Sequence, residues 1–352
     1  MGLSYGLDLP CTLNEALQTL SKAQLIELRD LAELKISSGL RKQDMLAKLE
    51  AELPGNINKV FNLFDESRAS LIRLVLSHRG ALPLREIDLA DDDLQCLTGQ
   101  GVFVVGENNA QPCLGVPVEL LDRFQQFDGL PYAERVATNT RWVVALQGMI
   151  YHYGVIQMFH AFDYLSLLFG VEERYNMRPS FWEVLPTMQE FRGLYRVAGR
   201  HFCDASIDTA TQILDRRPAE LGYKLFNLEE LYAAADPLYI DPTVESDLLE
   251  DYLLEHYDLT EDNAKRLMHV GRRFALREGD VGAALAVYAV VCNGGSSELA
   301  PELVRLVVDY LENTPHWALC GHSMVDLAAH LPAREEASGE LVDFSEYKNR
   351  GK

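Results

Sequence analysis

The chain has no Cys-x-x-Cys pair: Cys11, Cys96, Cys113, Cys203, Cys292 and Cys320 stand apart from one another. That spacing excludes a disulfide framework or a standard zinc ribbon and points to a reducing cytoplasm. No basic, apolar leader opens the chain. Its longest apolar stretch, residues 142–169, is broken by Gln147, His152, Gln157, His160 and Asp163, so neither export nor a membrane span is expected. Also missing are a GxSxG elbow, a Walker loop and a GxGxxG fingerprint, and Gly294-Gly295-Ser296-Ser297 lacks the following lysine of a phosphate cradle. Basic residues are scarce, with 32 Lys or Arg against 53 Asp or Glu, and residues 225–264 hold none against 12 acidic residues.

That shortage is uneven. Residues 1–89 carry 11 basic and 12 acidic side chains, a net of −1, so residues 90–352 carry the other −20 of the total −21. An acidic body repels a phosphate backbone, so any nucleic acid is expected at the front. At 352 residues and 48% hydrophobic the chain can bury the cores of two or three ordinary domains.

Leu13, Leu17 and Leu20 predict a short helix, and Ser21 can cap a second one that runs through Leu25, Leu28, Leu31 and Leu34. Residues 36–40 read as a loop. A third helix from Arg41 buries Met45, Leu46 and Leu49 and is expected to stop at Leu53-Pro54-Gly55, because proline has no amide donor. The stretch LSKAQLIELRDLAELKISSGLRKQDMLAKL resembles the N-terminal domain of the transcription terminator Rho and the related SAP fold. The resemblance implies a nucleic-acid contact at the start of the last helix. The candidates are Lys35, Ser38, Arg41 and Lys42, with Lys22 and Lys48 as outliers: Ser38 and the first-turn amides could receive a phosphate that Arg41 and Lys42 neutralise. The plainer reading is an ordinary exposed helix start whose positive field is diluted by Glu27, Asp30, Glu33 and Asp44.

Further on, Leu71, Ile72, Val75 and Leu76 predict a helix ending at His78-Arg79-Gly80, and Leu94 and Leu97 a second one before Gly99. Residues 102–105 read as a strand, 106–111 as a polar turn and 114–118 as the return strand, which Pro117 would confine to a sheet edge. Helices followed by such a hairpin describe a winged helix, which commonly reads duplex DNA. The helix before the hairpin, however, carries Asp91, Asp92 and Asp93, the wrong sign for phosphates, so protein contact or scaffolding is the better expectation.

Residues 132–153 predict a long amphipathic helix, Gly154 a turn and residues 158–169 another helix. LQGMIYHYGVIQMFHAFDYL resembles a helix-turn-helix of uncharacterised bacterial proteins, with an apolar turn that serves packing. Residues 247–256 predict a helix burying Leu248, Leu249, Tyr252 and Leu253. The cations after it, Lys265, Arg266, Arg272, Arg273 and Arg277, are expected to pair with its acids. NTPHWALCGHS, from Asn313 to Ser323, resembles the closing motif of an uncharacterised bacterial family with a Rho-N-like front. Members often continue into a cysteine-rich zinc module like that of the secretion motor SecA. Here the sequence reads Asn349-Arg350-Gly351-Lys352 where that module would begin, so no zinc role is carried over from it.

Other constellations have two readings each. His316, Cys320 and His322 could supply three ligands of a zinc site, or form a packed turn with histidines satisfied by the backbone. Asp241, Glu245, Asp247, Glu250, Asp251, Glu255 and Asp258 follow one helix and its flanks, which suits a solvated face better than a cation site. His152, His160 and Asp163 could be acid and base partners but have no nucleophile in a strained turn beside them.

The expectation is a mainly α, multi-domain protein: a Rho-N/SAP-like module over 1–55, a winged-helix-like α+β unit over 60–128, a helical body over 129–332 and a polar, disordered tail over 333–352. Its expected role is a non-enzymatic cytoplasmic adaptor or regulator without cofactor. It would touch nucleic acid weakly through residues 20–50 and an unknown protein partner through the acidic body. The rivals are a purely protein-binding scaffold or nucleic-acid mimic, and a metal-dependent enzyme.

Overall fold

The computed structural model describes residues 6–99, 101–170, 181–188, 195–294 and 299–330. The expected disordered tail at 333–352 and most of the 294–297 loop lie outside the described residues.

Three helices form the front. Thr12 and Glu15 make a capping box at the start of α1 (Leu13–Thr19), and Ser21 and Gln24 make another for α2 (Lys22–Leu31). After an extended loop comes α3 (Lys42–Asn56), followed at once by the single turn α4 (Asn58–Phe61). Leu17, Leu25, Leu28, Met45, Leu49 and Leu53 are fully buried between the helices. The helix does not stop at Pro54 but runs through it. Leu53 and Ile57 on either side are both wholly buried, and that anchoring holds the helical path across the missing hydrogen bond.

Next, α5 (Glu66–Ser77), β1 (Ala81–Pro83), α6 (Asp91–Gly99), β2 (Val104–Asn108), β3 (Gln111–Gly115) and α7 (Val118–Phe127) surround an antiparallel sheet of order β1-β3-β2. The return strand therefore lies earlier than expected and in the sheet's centre, with Gly115 opposite both Ala81 and Val104. The turn is only Asn109-Ala110, both in the left-handed region at φ 51° and 61°, so Gly106–Asn108 pair with β3 instead of turning. Pro117 caps α7, and the proline inside the strand, Pro112, lies before the stretch paired with β1. Asp91, Asp92 and Asp93 occupy the first turn of α6, where the helix dipole favours negative charge, and buried Asp93 accepts the Ala90 N–H at 3.3 Å.

The long α8 (Leu130–Tyr153) ends at Gly154, whose φ of 65° reverses the chain into β4 (Val155–Gln157) and α9 (Met158–Phe169). A helix over 181–187 (α10) follows, then β5 (Arg196–Ala198) and β6 (His201–Cys203), which complete a second antiparallel sheet of order β4-β6-β5. After α11 (Thr211–Leu214), α12 (Leu228–Ala233) packs so close to α8 that a Cβ at Gly148 would lie 2.0 Å from the Leu231 carbonyl oxygen. The remainder is α13 (Val244–His256), α14 (Glu261–Glu278), α15 (Val281–Asn293), α16 (Pro301–Asn313), a tight 3-10 turn at Trp317–Leu319, and α17 (Met324–His330).

The protein is mainly helical with small antiparallel sheets. One cluster of buried side chains runs from Leu13 to Leu231, and a second joins Leu249 to Leu311. On α13 the buried positions are Leu249 and Leu253, one turn apart, whereas Leu248 is 49% exposed and Tyr252 half-buried. Lys265 reaches Glu250 on α13 at 3.7 Å, but Arg272 and Arg273 reach Asp241 and Asp204 instead, outside the acidic helix. Among the described residues no helix is long and apolar enough to cross a membrane.

Candidate functional site

At the front, Leu34 and Ile36 are buried while Lys35 between them is exposed, the alternation of an extended segment that turns every second side chain outward. The Arg29 guanidinium donates to the Ile36 carbonyl at 3.1 Å and holds the loop against α2. Ser38, Arg41 and Lys42 are exposed where the loop enters α3, which begins without a side-chain cap. Lys42 donates to the Gln18 carbonyl at 3.3 Å, bringing its ammonium over the end of α1. Two of the acids expected to dilute this field are paired: Glu33 with Lys59 at 2.5 Å and Asp30 with Arg29 at 2.5 Å. Asp44, in the first turn of α3, is exposed beside the cations.

The YHYGV and NTPHWALCGHS stretches meet inside the molecule. The last carbonyls of a helix have no partner within it, and here buried and half-buried donors from elsewhere supply them. The Tyr151 carbonyl accepts from the Trp317 indole N–H at 2.9 Å and from Arg272 at 3.3 Å, and Arg272 also donates to the Pro315 carbonyl at 2.8 Å. Arg217 donates to the carbonyls of Tyr153 and Val155 at 2.7 Å and of Trp317 at 3.0 Å. Two guanidinium groups thus sit at the negative end of the α8 dipole. The Trp317 ring covers Gly154 so closely that a Cβ there would lie 2.3 Å from the indole Cδ2.

Around this junction is a buried polar centre. The Arg272 guanidinium lies 4.0 Å over the Tyr151 ring, and the Tyr151 hydroxyl donates to Asp241 at 2.8 Å. Arg272 Nε stands 3.9 Å from Asp241 and His152 Nδ1 4.0 Å from it, both too far for hydrogen bonds. His152 stacks flat on Phe226 at 3.8 Å, and among the described residues neither of its ring nitrogens has a hydrogen-bond partner. Burial holds His152 neutral, pushes His269 down to about 4 and raises Asp241 above the usual carboxylate range. With both imidazoles lowered, neither takes up a proton near neutral pH, and the centre ties α8 to α14 through Tyr151 and Arg272. His160 and Asp163, by contrast, are exposed on α9.

The histidines of the closing turn are also engaged. His316 Nε2 donates to the Leu311 carbonyl at 2.8 Å and His322 Nε2 to the Gly222 carbonyl at 3.1 Å. Cys320 is buried in a left-handed turn at φ 54°, and burial raises its thiol. Among the described residues no three His, Cys, Asp or Glu side chains gather as a metal-holding group, so the sequence-expected zinc triad His316, Cys320 and His322 does not assemble. Within the acidic stretch, Asp241 is buried in the polar centre while Asp247, Asp251, Glu255 and Asp258 are exposed.

Sequence reasoning missed the pairing of Arg272 with Asp241. One signal was readable: Ala264, Leu267, Met268, Gly271 and Ala275 form the buried stripe of α14, and position 272 falls four residues after Met268 on that stripe. An arginine there must be either a packing fault or a buried partner. Comparisons with models of known protein families, with curated proteins and with solved structures find no match for this chain.

Proposed function

We propose that this protein is a non-enzymatic cytoplasmic adaptor or regulator. It touches nucleic acid weakly through a Rho-N/SAP-like front, over residues 1–55, and a protein partner through its acidic body. The observation that carries the reading is the outward set Lys35, Ser38, Arg41 and Lys42 around the uncapped start of α3, with Glu33 and Asp30 held by other cations. An uncapped helix start offers amide donors to a phosphate, and the two basic side chains beside it supply the charge. The order of α5, β1, α6, β2 and β3 suits a winged-helix unit over 60–128, whose acidic α6 favours protein over DNA as its contact.

Fluorescence anisotropy of the full chain against labelled single-stranded DNA, duplex DNA and RNA over a salt series tests this. So few phosphate contacts give a shallow salt slope, and Arg41→Glu with Lys42→Glu is expected to abolish binding at low salt. Binding that survives the double reversal would remove the front site. A chain that binds none of the three probes at low salt is instead a protein-binding scaffold, the reading favoured by the 12 acidic residues and no Lys or Arg in 225–264.

A further inference from the structure

We infer that a groove between α12 and the first turn of α14 receives an arginine side chain from a basic segment of a protein partner; this rests on the reading of the acidic body as a protein-contact surface. The groove is shallow and open to solvent, offers about 410 Å³ and is lined by Tyr232, Leu238, Tyr239, Asp236, Asp262 and Lys265. A volume at this lower end of ligand-pocket sizes suits one long side chain. Its walls are of two kinds that act together on a guanidinium. Tyrosine rings attract a cation through their faces, and carboxylates accept its paired N–H groups.

The groove's own cation does not oppose this. Lys265 stands 2.5 Å from Glu261 and 3.7 Å from Glu250, so its charge is neutralised from both sides. No other Lys or Arg occurs from residue 225 to 264, a stretch with 12 acidic side chains. The walls are also held in place before a ligand arrives. Asp236 Oδ1 accepts the Leu238 N–H at 2.8 Å, and the Tyr239 ring packs edge-on to Tyr151 at 5.2 Å, which the buried Arg272 and Asp241 in turn fix. Nucleic acid has the wrong charge for such a groove. A bare metal ion would want three converging ligands, and among the described residues no such group exists.

The test is anisotropy of a labelled, capped tetra-arginine peptide with the full chain over a salt series. It compares Asp236→Asn with Asp262→Asn against a charge-matched pair outside the groove, Asp122→Asn with Glu134→Asn. All four side chains are exposed, and far-UV circular dichroism checks that each variant folds. The groove pair is expected to weaken binding about tenfold and the outside pair less than about twofold. Tetra-lysine is expected to bind more weakly than tetra-arginine, since an ammonium stacks poorly on a ring. Equal weakening by both pairs would overturn the groove while leaving a diffuse acidic contact surface in place. A tetra-arginine peptide that fails to bind at low salt would overturn both the groove and the acidic contact, without touching the nucleic-acid proposal.

Discussion

Gly154 has the least tolerance for change among the residues at the junction of the two motifs. It needs a φ of 65° and leaves no room for a Cβ under Trp317. Gly154→Ala should combine left-handed strain of about 1–2 kcal/mol with overpacking of about 1–3 kcal/mol. The expected loss appears in urea denaturation, and an unchanged midpoint would show that the indole moves aside. The buried histidines make stability depend on pH. In the unfolded chain they take up protons below the ordinary 6.5, whereas in the folded protein His269 and His316 wait until about 4 and burial holds His152 well below its ordinary value. The unfolded state therefore binds more protons in that window, so stability falls as pH drops from 6.5 towards 4, by roughly 1 kcal/mol per unit for each such group. Asp241, raised by burial, works in the opposite direction at the acid end of the window. Replacing His152 with Phe should flatten the fall in urea midpoint between pH 6.5 and 5, and an unaltered slope would mean that His152 is not the group responsible.

At the level of elements, two features run against local preference. The first is Pro54 inside α3: Pro54→Ala restores a donor for the Glu50 carbonyl and should raise stability by about 1 kcal/mol or more, read as a higher thermal midpoint. A lower midpoint would mean that the ring itself packs usefully. The second is Arg272, 2% exposed, whose removal in Arg272→Met strands the buried Asp241 charge at a cost of about 3–5 kcal/mol. Adding Asp241→Asn should recover part of that loss, so that the double mutant is less damaged than the sum; strict additivity would break the proposed coupling. Much of this level was legible. Ser21 before an apolar period announced α2, and Gly154 after one announced the end of α8, because caps are local chemistry. The hairpin's existence could be read but not its register, since Asn109-Ala110 holds a left-handed turn without the glycine that usually marks one. Lys35, Arg41 and Lys42 could be placed outward from the apolar pattern alone. The pairing of Glu33 with Lys59 could not, because it joins the loop after α2 to α4 across 26 positions of sequence.

Across the whole molecule, the buried cluster that begins at Leu13 continues without a break to Leu231. Glu119 at the start of α7 accepts the Leu13 N–H at 2.8 Å, so the front is tied to the unit that follows it. Calorimetry should therefore show residues 13–231 melting in one transition, with van't Hoff and calorimetric enthalpies in agreement. A separate early transition assigned to the first three helices would refute that coupling. A second cluster joins Leu249 to Leu311, and α14, which carries part of it, is tied to the end of α8 by the Arg272 bond to the Tyr151 carbonyl.

The indole bond from Trp317 back to Tyr151 spans 166 positions of sequence. On the ribosome, the end of α8 therefore emerges long before its partners are made. Arg217 and Arg272 can reach its terminal carbonyls earlier, but until residue 317 has been synthesised the Tyr151 carbonyl lacks its indole donor and the face of Gly154 stays bare. Closing so distant a contact is slow. The nascent chain passes through a prolonged stage in which its front can already be folded while the hinge between YHYGV and TPHW stands open. Substitutions at that hinge would then be felt first as poor yield in the cell, before any loss of binding is measured.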